Sequence, residues 1–342
     1  MKNVVLEYVW LDGYETQNLR SKVKVVTTGG RLQDLHLPEW NFDGSSTRQA
    51  AGDNSECLLR PVRKYEYSLN SGRPHLLVLC EVMNADGTPH ETNTRSRLQT
   101  GVHQDTVDAE FWWGFEQEYF ITRGDRPLGF PPIGMPDPQG RYYCGVGGNQ
   151  VRGRSLVEMH LQKCLDMGIK LTGINAEVAI GQWEYQCFAE ETLKACDDLW
   201  MSRYVLLRVA EQFDCDIDVS PKPVAGDWNG SGCHANFSNK YMREIGGEKY
   251  FASLLESLGT RHALHVAGYG KNNAQRLTGE HETQHIETFS WGVADRGASI
   301  RVPNATANYG WKGYVEDRRP AANCDPYTVS RLILEAASGD FK

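Results

Sequence analysis

The sequence predicts an α+β protein in two parts, a small β-rich domain over residues 1–84 and a larger α/β domain over residues 85–342. Three observations carry that prediction. Runs rich in Val, Leu and aromatic residues dominate the first part. A polar, turn-like stretch, MNADGTPHETNT at residues 83–94, follows them and marks the boundary. Beyond it, helical spacing alternates with short strand-like runs.

In the first part, residues 4–10, 22–28 and 75–82 read as strands bounded by Gly, Asp and Pro. The opening segment, residues 1–11, is apolar but interrupted by Glu7 and has no small-residue cleavage site, so it reads as a strand and not as a signal peptide. In the second part, residues 96–108, 154–167, 197–213 and 249–264 read as helices, the second closing on Gly168 as a C-cap. Between them, residues 113–122, 172–180, 233–238 and 298–302 read as strands. A chain of 342 residues with 40% hydrophobic and 23% charged residues can bury such cores. With 36 basic against 44 acidic residues the net charge is −8, which argues against nucleic acid as a partner. A mean hydropathy of −0.51 and the lack of an apolar run of about eighteen residues argue against a membrane-spanning helix. Nine cysteines without a C-x-x-C pair or an export signal predict reduced thiols and a cytoplasmic location.

The chemistry-bearing residues cluster in short segments. In WWGFEQEYF, Glu116 and Glu118 stand two apart, so on a strand they share one face at about 6–7 Å. Two carboxylates so placed repel unless a cation lies beside them. Either the strand faces solvent, or it is buried and the acids hold metal; the flanking Trp112, Trp113, Phe115, Tyr119 and Phe120 favour burial. Glu177 in NAEV and Glu184 in GQWEYQ also sit in apolar surroundings, each readable as a rim charge or as a ligand. In NGSGCHANFS, residues 229–238, alternation puts His234, Asn236 and Ser238 on one face and Cys233, Ala235 and Phe237 on the other. A polar row after a glycine-rich start suggests a backbone-lined ligand site. Late in the chain come Arg276, Arg296, Arg301, Arg318 and Arg319, whose forks suit carboxylate and phosphate oxygens, although for any one of them alone a surface salt bridge is the favoured reading.

Two other motifs compete. Gly230 to Ala235 satisfies the loose G-x-G-x-x-A dinucleotide fingerprint, but the residues after it alternate and do not open a helix. His281-Glu282-Thr283-Gln284-His285 is a literal H-E-x-x-H, the zinc-peptidase signature. That chemistry needs a helix and a third ligand, and here the helix start is weak and no ligand follows at the required spacing. There is no G-x-x-x-x-G-K-[ST], so any ATP binds without a P-loop.

The segments LPEWNFDGSST, FEQEYF, RYYCGVGG, NAEVAIGQWEYQ, PKPVAGDWNGSGCHANFS, NAQRLTGEHET, ADRGASIRVP and GYVEDRRPAANCDPY, running in order from residue 37 to residue 327, resemble glutamine synthetases of the shorter eukaryotic-type class (type II). The resemblance implies a β-grasp-like N-terminal domain and a catalytic domain whose curved antiparallel sheet forms a metal-lined barrel site. It implies ligation of ammonia to the γ-carboxylate of L-glutamate with ATP as co-substrate, through γ-glutamyl phosphate. By motif, Glu118, Glu177 and Glu184 would hold a first metal, and Glu116, His234 and Glu316 a second, with two or three Mg²⁺ or Mn²⁺ ions per site. Asn229, Gly230, Arg276, Arg296 and Arg318 would hold glutamate, and Arg301 would reach phosphate oxygens. Trp112, Asn236, Ser238 and Tyr314 match positions near the nucleotide. Asp43 and Ser46 match the loop that completes a neighbouring subunit's ammonium site, and Glu282 the flap that closes over the reacting centre. The resemblance also implies a homo-oligomer, a decamer of two pentameric rings. The sequence departs from the family pattern at Glu280 and His285 of the flap, and it begins close to its first strand, where many relatives have a longer N-terminal arm.

Overall fold

In β1 (Lys2–Leu11) every second side chain from Val4 to Trp10 enters a core, and that alternation lays one face of the strand on it. The computed structural model describes residues 1–67, 74–101 and 104–337, and divides the chain into two compact units: residues 1–100 with 162–169, and residues 101–161 with 170–342. The first unit holds β1, β2 (Leu19–Thr28), β3 (Trp40–Asp43), β4 (Glu56–Glu66) and β5 (His75–Asn84). They form one mixed sheet in the order β2-β1-β5-β4-β3, with β1 and β5 parallel and the remaining pairs antiparallel. Leu76, Val78, Cys80 and Val82 of β5 meet Val4, Leu6, Tyr8 and Trp10 of β1, together with Leu59 and Phe42. Strand β4 escapes a reading by pattern because Pro61 interrupts it; the ladder shifts register between Pro61 and Arg63, the bulge where a strand tolerates a residue with no N–H.

The helices are α1 (Thr94–Gly101), α2 (Gln104–Asp108), α3 (Arg154–Asp166), α4 (Thr192–Glu211), α5 (Lys240–Glu244), α6 (Glu248–Thr260), α7 (His262–Gly268), α8 (Asn304–Asn308) and α9 (Pro326–Ala337). The helix expected over 96–108 is described as α1 and α2, residues 102–103 lying outside the described residues. The one expected over 249–264 is broken at Arg261, whose backbone (φ −99, ψ 8) leaves the helical region and starts α7. Helix α3 stops as its sequence requires: Gly168 adopts φ +77, the left-handed C-terminal position that glycine takes without strain.

The second unit is built on a nine-stranded mixed sheet of β6 (Trp112–Arg123), β7 (Arg126–Pro127), β8 (Leu171–Ala176), β9 (Gln182–Ala189), β10 (Asp216–Asp218), β11 (Cys233–Ser238), β12 (Trp291–Val293), β13 (Ile300–Val302) and β14 (Val315–Asp317). Its main path is β12-β13-β14-β11-β6-β9-β8, with β7 and β10 also on β6. One face is apolar. Trp113, Phe115, Tyr119, Tyr185, Cys187, Ala235 and Phe237 are buried there. Helix α4 packs on β6 and β9 from that side: Tyr185 Oη lies 2.8 Å from Ser202 Oγ, and Arg203 Nε donates to Gln117 Oε1 at 2.8 Å. The alternate residues, Glu116, Glu118, Glu184, Gln186, His234 and Asn236, are thereby turned to the other face.

Candidate active site

Cross-strand register brings the polar residues together. Glu116 stands opposite His234, Glu118 opposite Glu184, Asn236 opposite Glu316, and Arg301 opposite Glu316. His234 Nδ1 lies 3.2 Å from Glu116 Oε2 and 3.3 Å from Glu316 Oε1. Ligand atoms of these three residues all fall within 4.8 Å of one another, the spacing of donors around one cation. Glu316 is fully buried, and Arg318 Nη1 donates to it at 2.7 Å while Arg301 Nε donates to its other oxygen. Burial alone would raise the Glu316 carboxyl; hydrogen bonding and charge from His234, then Arg318 and Arg301, outweigh it and hold the group well below the usual carboxylate range. For His234, burial and Arg318 disfavour the imidazolium, yet Glu116 and Glu316 lift it to about 9.

A second acid set, Glu118, Glu177 and Glu184, sits beside the first. Burial, then the charges of Glu118 and Glu184, push Glu177 up to about 9, and burial, then Glu116 and Glu118, push Glu184 up to about 8. Carboxyls crowded until they resist ionising fit a site whose counter-charge is a bound cation, and a set of carboxylates with one imidazole and no thiolate suits a hard divalent ion. Each acid is fixed by neighbours. The Gly232 N–H donates to Glu118 Oε2 at 2.8 Å, Asn175 Nδ2 to Glu177 Oε1 at 2.8 Å, and Gln186 Nε2 to Glu184 Oε1. Position 232 needs glycine: a Cβ there would stand 2.5 Å from Arg276 Nη2 and 2.8 Å from His234 Nε2, filling the gap through which Arg276 reaches His234 at 2.9 Å.

Two cavities open on this face. One, of about 480 Å³, is lined by four acids and an imidazole, Glu116, Glu118, Glu177, Glu184 and His234, together with Glu282, Arg296, Arg301 and Arg318. The other, of about 350 Å³, is lined by Trp112, Phe188, Asn236, Ser238, Tyr314 and Arg243, and the two share Glu116 and Gln186. An aromatic cleft running into a cavity of acids and arginines can seat a flat heterocycle and present its polyanionic tail to cations. Asn236 Nδ2 ties the two regions by donating to Glu116 Oε1 at 2.8 Å.

The segment 277–286 closes on itself through Ile286 N–H to Leu277 O at 3.0 Å, and at its tip His281 and Glu282 both take left-handed φ, +52 and +60. Arg318 Nη2 donates to the Glu282 carbonyl at 3.3 Å. No helix spans 281–285. His281 Nε2 faces Asp227 Oδ1 at 3.1 Å and His285 Nδ1 accepts from the Glu287 N–H at 3.3 Å, so the H-E-x-x-H histidines do not converge as a zinc pair. Gly230 to Ala235 runs into β11 and opens no helix, which removes the dinucleotide reading.

Of the other residues singled out by sequence, Asn229 accepts from Gln139 Nε2 at 2.6 Å, and Gly230 lies against the Arg276 side chain. Asp43 and Ser46 belong to the first unit, where Ser46 Oγ donates to Asp43 Oδ2 at 2.7 Å. Sequence reading missed Tyr143, Asn175 and Gln186 in the larger cavity and Arg243, whose guanidinium lies 4.0 Å from the Trp112 ring centre. Asn175 and Gln186 each stand two residues from a singled-out acid, and extending the alternation by one step finds both. Arg243, on the short helix α5, carries no such signal.

A family model described as "Glutamine synthetase, catalytic domain" matches residues 91–339, and a glutamine synthetase of Bradyrhizobium diazoefficiens is 49% identical over 343 residues, covering 99% of this chain and 97% of its own. The chain belongs to the glutamine synthetase family. A glutamine synthetase of Suillus bovinus is likewise 49% identical, over 334 residues, 97% of this chain and 92% of its own. The cryo-EM structure of Plasmodium falciparum glutamine synthetase matches with a TM-score of 0.76 over 98% of this chain and 72% of that one, at 16% identity, so the fold persists where the sequence has diverged. As a member of this family, the chain is an ATP-dependent ligase that makes glutamine from glutamate and ammonia, with divalent metal. Among the described residues no helix is long and apolar enough to cross a membrane.

Proposed function

We propose that this ligase runs its reaction in the two adjoining cavities, the aromatic one taking ATP and the charged one glutamate and ammonium. The observation that carries the reading is Glu116, which lines both and lies beside His234 and Glu316. Glu116, His234 and Glu316 hold a divalent ion that rides with the ATP phosphates, and Glu118, Glu177 and Glu184 hold another; Mg²⁺ or Mn²⁺, two or three per site, matches the hard donor set. When bound, these ions neutralise charge between the polyphosphate and the glutamate carboxylate. Trp112, Asn236, Ser238 and Tyr314 orient the nucleotide. Asn229, Gly230, Arg276, Arg296 and Arg318 orient glutamate so that its γ-carboxylate faces the γ-phosphate in line, and Arg301 meets the phosphate oxygens.

Attack of the γ-carboxylate on ATP yields γ-glutamyl phosphate and ADP; ammonia then displaces phosphate. Glu282 draws ammonium in and accepts its proton, and the flap that carries it keeps water from the acyl phosphate. Asp43 and Ser46 complete the ammonium site of a neighbouring subunit, in a decamer of two pentameric rings. Residues 1–84 serve as a β-grasp-like domain and residues 85–342 as the catalytic domain with a curved, metal-lined sheet, in the cytoplasm. The deciding experiment measures phosphate release from ATP in Mg²⁺ with glutamate, ammonium, both or neither. Release of phosphate and glutamine together only when both are present supports the reading; substrate-independent hydrolysis would remove it.

A further inference from the structure

Strand β14 and the two residues that follow it present two polar faces. Glu316 meets the cavity's histidine and Arg318 lines the cavity, while Asp317 and Arg319 between and beyond them turn into the interior, where both are buried. Arg319 grips Asp317 with Nε on Oδ1 at 2.8 Å and Nη2 on Oδ2 at 2.7 Å, a bidentate pair. Its remaining donors go further. Nη2 reaches His265 Nδ1 at 3.0 Å, and Nη1 reaches His262 Nδ1 at 3.2 Å. A guanidinium can only donate, so His262 Nδ1 is an acceptor and its ring proton sits on Nε2. That proton is donated to the Ile286 carbonyl at 2.7 Å.

Ile286 is one stem of the 277–286 segment, the residue whose N–H closes on Leu277 O. The other stem hangs from the same arginine. The Arg319 carbonyl accepts from Asn273 Nδ2 at 2.7 Å, and the Asn273 carbonyl accepts the Leu277 N–H at 2.9 Å. Phe289 covers the junction, its ring 5.7 Å from His262 and 5.5 Å from the Arg319 guanidinium. A loop whose tip holds two residues at positive φ is not kept in place by its own backbone preference, so its stems must be held from outside.

We propose that His262 and Arg319 are the positioning residues of the Glu282 flap, fastening both of its stems to the segment 316–319, which carries Glu316 and Arg318, and so deciding whether ammonia or water meets the acyl phosphate. This rests on the reading of Glu282 as a flap residue given above. When the flap is loose, water attacks the γ-acyl carbon, the carbon–oxygen bond to phosphate breaks, and glutamate and phosphate leave: net ATP hydrolysis with no glutamine.

The test compares His262→Leu, which loses both hydrogen bonds, with His262→Gln, which keeps one donor for Ile286 and one acceptor for Arg319. Hydrogen exchange is read on peptides covering 277–286 against those of α4, and phosphate and glutamine are counted in the same assay with Mg²⁺, ATP, glutamate and ammonium. Losing a charge-assisted buried hydrogen bond is expected to speed flap exchange about 10- to 100-fold with α4 unchanged. Phosphate should then exceed glutamine several-fold in His262→Leu, and His262→Gln should restore both readouts, with Mg²⁺ affinity by calorimetry equal in all three proteins. Should His262→Leu not fold, Asn273→Ser loosens the other stem and carries the same expectation. Unchanged flap exchange, or a Gln variant no better than Leu, overturns the proposal. So does faster exchange with phosphate and glutamine still equal. The cavity reading fails on a different result: a wild-type chain that makes no glutamine from ATP, glutamate and ammonium.

Discussion

Glu118 and Glu184 face each other directly across the β6–β9 ladder, two carboxylates on the same side of one sheet. Like charges directly opposite destabilise a sheet unless something neutralises them. Glu184→Gln should therefore split stability by condition. In chelator the variant should melt at or above the wild type; in millimolar Mg²⁺ the wild type should gain stability by linkage and the variant gain much less. Thermal melts of both proteins in the two buffers check this, and Glu118→Ala should lose turnover while keeping its fold. Full wild-type activity in excess chelator would remove the metal assignment.

The flap separates two adjacent residue types. His285→Ala is expected to keep most synthetase activity, because its Nδ1 only accepts a local backbone N–H. Glu282→Ala should lower kcat by about 100-fold or more, the scale of losing a general base. Steady-state glutamine formation and zinc content of the purified protein check both; stoichiometric zinc with a dead His285→Ala would restore the peptidase reading.

What the sequence discloses follows how local the signal is. The strand over 233–238 is legible to the residue because polar and apolar positions alternate without exception through CHANFS. Strand β9 is not, since QWEYQCFA is buried on both faces and shows little alternation. The break at Arg261 is silent as well, with no proline to mark it. In the site, the shared face of Glu116 and Glu118 is readable from spacing alone. That Glu184 lands opposite Glu118, or Glu316 within reach of His234, is a matter of long-range register between strands far apart in sequence, which no local pattern encodes.

Burial makes acid stability predictable at His160. Its Nε2 donates to Ser202 O at 3.0 Å and its ring lies 4.9 Å from Tyr185; burial pushes the imidazole down to about 4 against the pull of that carbonyl. In the unfolded chain it titrates near 6.5. The unfolded state thus takes up a proton first, so the contribution is complete above about pH 6.5 and is lost as pH falls toward 4, roughly 3 kcal/mol in all. His265, also pushed down to about 4 by burial and Arg319, acts in the same direction. Melting temperature measured from pH 7.5 to 4.5 should fall in the wild type and fall less steeply in His160→Gln, which keeps the donor but cannot titrate. Parallel slopes would refute the assignment.

The last prediction concerns assembly. Asp43 is exposed in its own subunit, and hydrogen bonds from Ser45 and Ser46 hold its carboxyl down to about 2, so it stays anionic across the physiological range. An exposed, strongly ionised acid on a turn attracts ammonium only if that turn is set against a catalytic cavity, and the proposed ring supplies one from the next subunit. Asp43→Ala spoils the loop and Glu116→Ala spoils the metal site, so each homogeneous ring should be inactive. In a ring assembled from equal amounts of both, a given site works when its own subunit has Glu116 and the neighbour supplying the loop has Asp43. Each condition holds for half the subunits, so roughly a quarter of sites should be intact and about that share of wild-type activity should return. Co-expression with two different tags, sequential pull-down to isolate mixed rings, and glutamine formation per subunit measure it. Isolated mixed rings that stay inactive would mean that Asp43 serves its own subunit, as an acid whose hydrogen bonds to Ser45 and Ser46 only shape its turn.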